Sequence, residues 1–225
     1  MDIKEELKST FYLDADSTEV KEFIQNLNLE ELNDVEKAKK IYLAVRDEIR
    51  YDPYNIILTP EALRASAVIK RKYGFCVEKA VTLAACLRSA GIPAKVGFAN
   101  VKNHLNSKRL QDLMQSDIFV FHGYTDIFLN KQWVKATPAF NLSLCERANI
   151  LPLEFDGEHD SIFHPLDKSG NKHMEYLVDH GSFIDLPFDR MMDEYDHFYR
   201  HLRVKETKQF GNINKAKFEE DVNRS

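Results

Sequence analysis

The stretch Tyr73-Gly74-Phe75-Cys76-Val77-Glu78-Lys79-Ala80-Val81-Thr82-Leu83-Ala84-Ala85-Cys86-Leu87-Arg88-Ser89-Ala90-Gly91-Ile92-Pro93-Ala94-Lys95 decides how the rest of the chain is read. Good helix formers fill Cys76 to Ala90, and apolar side chains fall on helical spacing at Val77, Ala80, Val81, Ala84 and Leu87. Gly91 stands where a helix end favours glycine, with Pro93 just beyond. The alanine-rich middle lets other elements approach closely, so this segment is predicted to be the central, buried helix. Cys76 then lies in its first turn. Free backbone N–H groups and the positive helix end favour a thiolate there, and the thiolate is the nucleophilic form of cysteine. The same amides can donate to the oxyanion formed when sulfur attacks a carbonyl. The plain alternative is a buried thiol used as a small hydrophobe. Cys86 lies well inside the same helix, away from free amides, and reads as core; Cys145 has no partner positioned by the sequence.

Working outward, the N-terminal third reads as helices. Ser17-Thr18 precedes Val20, Phe23, Ile24 and Leu27, and Asp34 precedes Val35, Ala38, Ile41, Tyr42, Val45 and Ile49 at three- and four-residue steps. A third helix is expected from Thr59-Pro60-Glu61, where Thr suits a cap and Pro the first helical position. After the central helix come a strand from Lys95 to Val101 and a short surface helix from Asn106 to Gln115.

Ile118–Leu129 and Gln132–Thr137 read as two strands joined by Asn130-Lys131, a two-residue hairpin link. Alternation then puts His122, Tyr124, Asp126 and Phe128 on one face. The link sets Phe128 opposite Trp133, Asp126 opposite Lys135 and Tyr124 opposite Thr137, with Thr137 diagonal to His122. Further on, Met174–Val178 and Ser182–Leu186 are strand-like pieces, Pro187–Leu202 is an amphipathic helix, and 205–225 is a polar, loosely held tail. The expected organisation is one domain over 1–204 with its core in 45–140.

The chain has 225 residues and 44% hydrophobic content, enough for a real core. Its net charge of -5, from 31 basic and 36 acidic residues spread along the chain, offers no footprint for nucleic acid or an anionic membrane. The first residues are charged where a signal peptide needs an apolar core, and no later stretch approaches the roughly 20 apolar residues of a membrane span. Three widely spaced cysteines fit neither a disulfide framework nor a paired metal knuckle, so free thiols in the cytoplasm are expected.

The segment Gly74 to Lys95 resembles the nucleophile segment of the transglutaminase-like superfamily, in which Gly-x-Cys opens a helix and Leu-Arg-x-x-Gly-Ile-Pro-Ala-Arg leads into a strand. His122-Gly123-Tyr124-Thr125-Asp126, followed by Trp133-Val134-Lys135-Ala136-Thr137-Pro138, is similar to that family's His-x-Trp-x-Glu and Trp-x-x-x-Asp-Pro blocks; Ile49-Arg50-Tyr51-Asp52 looks like the segment before the nucleophile loop. The resemblance covers about Val45 to Pro138. It implies an α+β, papain-like cysteine-proteinase fold with N-terminal helices, a central helix bearing the cysteine and an antiparallel sheet. It further implies Cys76 as nucleophile and His122 as base, forming a thioester acyl-enzyme on a peptide or glutamine-type amide, without a cofactor. Expected partners are a peptide, a protein or a small amide.

One departure stands out: the family's third catalytic residue is an Asp, and Thr137 fills that position here. A threonine hydroxyl can hold the imidazole tautomer but brings no charge. Asp126 and Asn141 are the candidate substitutes, Asp126 also being placed for an ion pair with Lys135 across the hairpin. Tyr124 stands where the family has Trp. These changes keep open a second reading, a non-catalytic binding module on the same fold. A third is a metal site built from His159, His164, His173 and His180 with Asp156, Glu158, Asp160 and Asp167, or from His197 and His201 at helical spacing. It lacks a recognisable ligand motif. His164 and Asp156 are also candidates for the mouth of the cysteine site.

Overall fold

A computed structural model describes residues 3–103, 107–162, 168–170, 174–210 and 218–222. In chain order the N-terminal half contains α1 (Thr18–Gln25), α2 (Asp34–Glu48), β1 (Arg50–Tyr51), β2 (Ile56–Ile57), α3 (Ala65–Arg71), β3 (Tyr73–Gly74), α4 (Cys76–Ser89) and β4 (Ala94–Asn103). The second half contains α5 (Lys108–Met114), β5 (Ile118–Leu129), β6 (Gln132–Ala136), α6 (Leu142–Arg147), β7 (Met174–Phe183), α7 (Phe188–Phe198), α8 (Val204–Thr207), β8 (Gln209–Phe210) and α9 (Phe218–Val222).

Helix α4 is the buried centre, with every side chain from Cys76 to Arg88 buried and Gly91 at φ +81° just past its end. Its cap is incomplete in a useful way. Phe75 has no polar side chain to offer, so the Glu78 carboxylate reaches back and accepts from the Phe75 N–H at 3.0 Å. One side of α4 packs on the N-terminal helices. There Lys79, fully buried, donates to the carbonyls of Arg46 (2.8 Å) and Ile49 (2.5 Å) at the end of α2. The other side packs on an antiparallel sheet of order β6-β5-β4-β7, where the Thr125 hydroxyl donates to the Ala80 carbonyl at 2.9 Å.

Two helix starts differ from the sequence pattern for local reasons. Helix α2 is capped by Asn33, one residue before Asp34, through a reciprocal pair with Glu36 at 3.1 and 3.0 Å. Thr59 does close a turn on Ala62, but α3 begins only at Ala65. Asp14 caps it there, accepting from the Ser66 N–H at 3.1 Å and the Ser66 hydroxyl at 2.5 Å. The strand expected from Lys95 is longer at both ends, and the two pieces after 173 form the single strand β7. Gly181, at φ +81°, lets that strand slip register against β4 without ending.

The hairpin register is as the two-residue link requires. Phe128 pairs with Trp133 and Asp126 with Lys135, and Asn130 and Lys131 both take positive φ (49° and 67°), the geometry of a type I′ turn. The ladder stops at Thr125 and Ala136. Thr137 turns away and donates its N–H to the Ser161 carbonyl at 2.9 Å, so Tyr124 and Thr137 are not a ladder pair.

The helix expected over Pro187–Leu202 ends at Phe198, with a 3-10 turn over Arg200–Leu202. Tyr199 leaves helical geometry (φ -115°, ψ 47°) because its hydroxyl accepts from the Val120 N–H at 3.0 Å and donates to the Ile118 carbonyl at 3.1 Å. The segment after 204 is tied down at several points. Strand β8 pairs with β2, Phe218 packs edge-on against Tyr51 and Tyr54, and Asp221 accepts from the Tyr54 hydroxyl at 3.0 Å. None of the helices in the described residues is long and apolar enough to cross a membrane.

Candidate active site

Cys76 sits where three elements meet: the first turn of α4, the open edge of β5 and helix α7. Beyond the point where β6 leaves, one edge of β5 has no strand partner among the described residues, and its amides find others. The Val120 N–H goes to Tyr199, and the N–H groups of Gly123, Val77 and Cys76 itself act on the Cys76 thiol. Each of these donors favours the thiolate. Burial opposes them and wins, pushing the thiol up to about 11, with the Glu78 charge adding to the rise. A pKa lowered by the helix end was the expectation; the donors are in place, but desolvation outweighs them. Glu78 is itself pushed up to about 7 by burial, opposed by its ion pair with Arg71.

The other two thiols lack this arrangement. Burial raises Cys86 beyond Cys76 with no backbone donor acting on it, and burial raises Cys145 to about 11. All three cysteines are free and buried.

His122 is 4% exposed, pairs with Ala99 in the ladder, and is pushed down to about 3 by burial. At neutral pH the thiol and the imidazole are therefore both uncharged. The residue before it, Phe121, holds φ +56°, an uncommon conformation for a non-glycine, and its N–H is taken by the Asn100 side chain at 3.1 Å. This kink coincides with the register slip between Ala99 and Val101. It lies immediately before the candidate base, as strained backbone often does at functional sites. The residue after it, Gly123, lies against the backbone of Cys76 and Val77. The chain that carries His122 is thus pressed onto the turn that carries Cys76.

Thr137 is 1% exposed; its carbonyl accepts from the Tyr42 hydroxyl at 3.2 Å, and its own hydroxyl has no hydrogen-bond partner among the described residues. The other orienting candidates are engaged elsewhere. Asn141 accepts from the Tyr51 N–H at 3.0 Å and donates to Glu219 at 2.6 Å and Ser143 at 2.8 Å. Asp126 accepts from the Ser182 hydroxyl at 2.8 Å and lies 3.9 Å from the Lys95 ammonium. The expected Asp126–Lys135 ion pair gives way to another: Lys135, though opposite Asp126, binds Asp179 at 2.7 Å, which also accepts from the Tyr124 hydroxyl at 3.0 Å. Strand β7 supplies that competing carboxylate.

The histidines considered for a metal are dispersed. His159 pairs with Asp156 in an exposed local turn, His180 contacts Asn100 and Arg190, and His201 meets the Leu113 carbonyl. The break at Tyr199 removes His201 from the helix that holds His197. No group of three metal-capable side chains occurs among the described residues, and His164, His173 and Asp167 lie outside them.

Above Cys76 opens a cleft of about 410 Å³, part of it open solvent, walled by Pro53, Ile56, Leu110, Met114, Phe119 and Tyr195 among others. No local pattern in the sequence marks it. Its walls come from five separate segments, and the four-residue spacing of Tyr195 and Tyr199 is a local signal for one of them alone.

A cysteine opening a buried helix, packed on an antiparallel sheet whose strand β5 carries His122 next to the glycine that meets the helix, defines a papain-like α+β cysteine-proteinase fold. The model of the transglutaminase-like superfamily core matches residues 21–138, more than half of the chain, and the chain belongs to that superfamily. Among solved structures it is similar to a proposed cysteine protease from Cytophaga hutchinsonii, at 17% identity and a TM-score of 0.47 over 61% of this chain and 43% of that one. A proposed protease from Parabacteroides distasonis is similar at 22% identity and a TM-score of 0.40, over 63% of this chain and 26% of that one. The chain spans less than half the length of either. No curated protein sequence matches it.

Proposed function

We propose that the protein is a cysteine-nucleophile hydrolase or acyltransferase acting on peptide or glutamine-type amide bonds through a thioester acyl-enzyme. The observation that carries this reading is the set of backbone N–H groups converging on Cys76 at the floor of a cleft, a set that Cys86 lacks. Because burial holds both partners neutral at rest, proton transfer accompanies attack instead of preceding it. As the Cys76 sulfur bonds to the carbonyl carbon, its proton passes to His122 and the carbonyl π electrons become an oxyanion facing the helix-end amides. Collapse of that intermediate expels the amine, which takes the proton back from the imidazolium and leaves a thioester. Water, or an amine, deprotonated by His122 then attacks the thioester and returns the thiol.

Thr137 is the proposed orienting residue, its buried hydroxyl having no hydrogen-bond partner among the described residues. The substrate is a peptide, a protein or a small amide, and no cofactor takes part. Three unpaired thiols suit a reducing compartment, which supports a cytoplasmic setting.

The electrostatics also favour a second reading, a binding module without turnover: burial leaves the Cys76 thiol and the His122 imidazole neutral, and Thr137 brings none of the charge that an Asp would supply. Intact-mass analysis after incubation with small acyl thioesters separates the two. A covalent acyl adduct on Cys76, absent in Cys76→Ser and slowed at least about a hundredfold in His122→Ala, is expected for a general base. No adduct above the Cys76→Ser background would leave the binding module.

A further inference from the structure

The cleft above Cys76 has a chemical character of its own. No charged side chain lines it among the described residues. Its walls are aliphatic and aromatic, with Leu110 and Met114 from α5, Phe119 and Val120 from β5, and Ile56 from β2. The hydroxyl of the buried Tyr199 is already committed, accepting from the Val120 N–H and donating to the Ile118 carbonyl. The cleft's polar groups are few, the Cys76 thiol and the hydroxyls of Tyr51, Tyr195 and Tyr199, so a charged group entering would lose more water contacts than it regains, whereas an apolar group gains. The polar elements lie at the floor, where the amides acting on Cys76 await a carbonyl oxygen.

We propose that this cleft is the acyl-side subsite and takes the uncharged aliphatic or aromatic side chain of the residue whose carbonyl Cys76 attacks. This rests on the assignment of Cys76 as nucleophile and narrows it to amides and peptides of apolar residues. Met114, at the last position of α5 and buried against the core, is the residue that sets the depth of the subsite.

The test measures binding apart from chemistry. N-acetyl methylamides of Leu, Phe, Gln, Glu and Lys carry the side chain and both amides but no reactive bond, and their dissociation constants follow from NMR titration of the wild-type protein read at the Met114 methyl resonance. Leu and Phe ligands are expected to bind at least about tenfold more tightly than Gln, Glu and Lys, the scale on which apolar pockets discriminate. Met114→Ala deepens the cleft and is expected to shift the Phe-to-Leu affinity ratio upward by about threefold or more. Equal affinities across the series, preference for Glu or Lys, or no binding near Met114 by any ligand overturns the subsite. Selective binding without thioester formation on Cys76 would uphold the subsite while removing the catalytic reading; acylation with unselective binding would do the reverse.

Discussion

Gly123 and Cys76 touch backbone to backbone: a Cβ on Gly123 would stand 3.0 Å from the Cys76 carbonyl oxygen and 2.8 Å from the Val77 Cα. Neither contact involves a flexible side chain, so an added methyl must push strand β5 away from the first turn of α4. Gly123→Ala is expected to cost about 1–3 kcal/mol of stability, read as a lower urea midpoint. It should also lower the rate of Cys76 acylation about tenfold or more, since strand and helix separate at the site. A variant that keeps the wild-type acylation rate would show that this contact does not position the chemistry.

The buried ionisable groups give a pH signature with opposing parts. Burial lowers His122 from 6.5 to about 3, so between those values the unfolded chain binds a proton that the folded one refuses, and acidification costs stability. Glu78, raised from 4.5 to about 7, works the other way: the folded chain binds the proton first, and acidification through that window adds stability. Removing one exposes the other. His122→Gln is expected to gain about 2 kcal/mol on the wild type between pH 7 and pH 5, measured as the difference of their denaturant stabilities at the two values. Parallel pH profiles would mean that His122 titrates freely in the folded protein.

Thr137→Asp restores the carboxylate found at that position in the superfamily. A negative charge beside the imidazole favours its protonated form, so the His122 ring pKa should rise by at least about one unit and Cys76 acylation should accelerate about tenfold. Ring titration by 13C NMR and the thioester rate by mass spectrometry report on both. An unmoved ring pKa would take position 137 out of the site.

The central helix was legible because all its signals are local: alanines for close packing, Gly91 and Pro93 for its end. The β5–β6 register followed equally well from a two-residue link. What the sequence hid depends on residues far along the chain. Asp14 sets the start of α3, and Asp179 draws Lys135 away from Asp126. The direction of the Cys76 shift is of the same kind. A helix start can be read from spacing, but how deeply α7 and the sheet bury it cannot, and depth decides which effect prevails. The cleft was invisible for the same reason, its apolar walls being ordinary core residues until several segments bring them around one sulfur.

The C-terminal anchoring also sets an order of events. The Tyr54 hydroxyl meets Asp221, 167 residues away in the chain, and β2, which carries the cleft residue Ile56, finds its strand partner only in β8. Such distant closures are slow, because the loop entropy must be spent before the contact forms. The wall at Ile56 is thus completed by a contact of long sequence separation, whereas the thiol-bearing helix and the hairpin are local. A substitution that loosens β8 would therefore reach the cleft through Ile56 without touching the thiol-bearing helix.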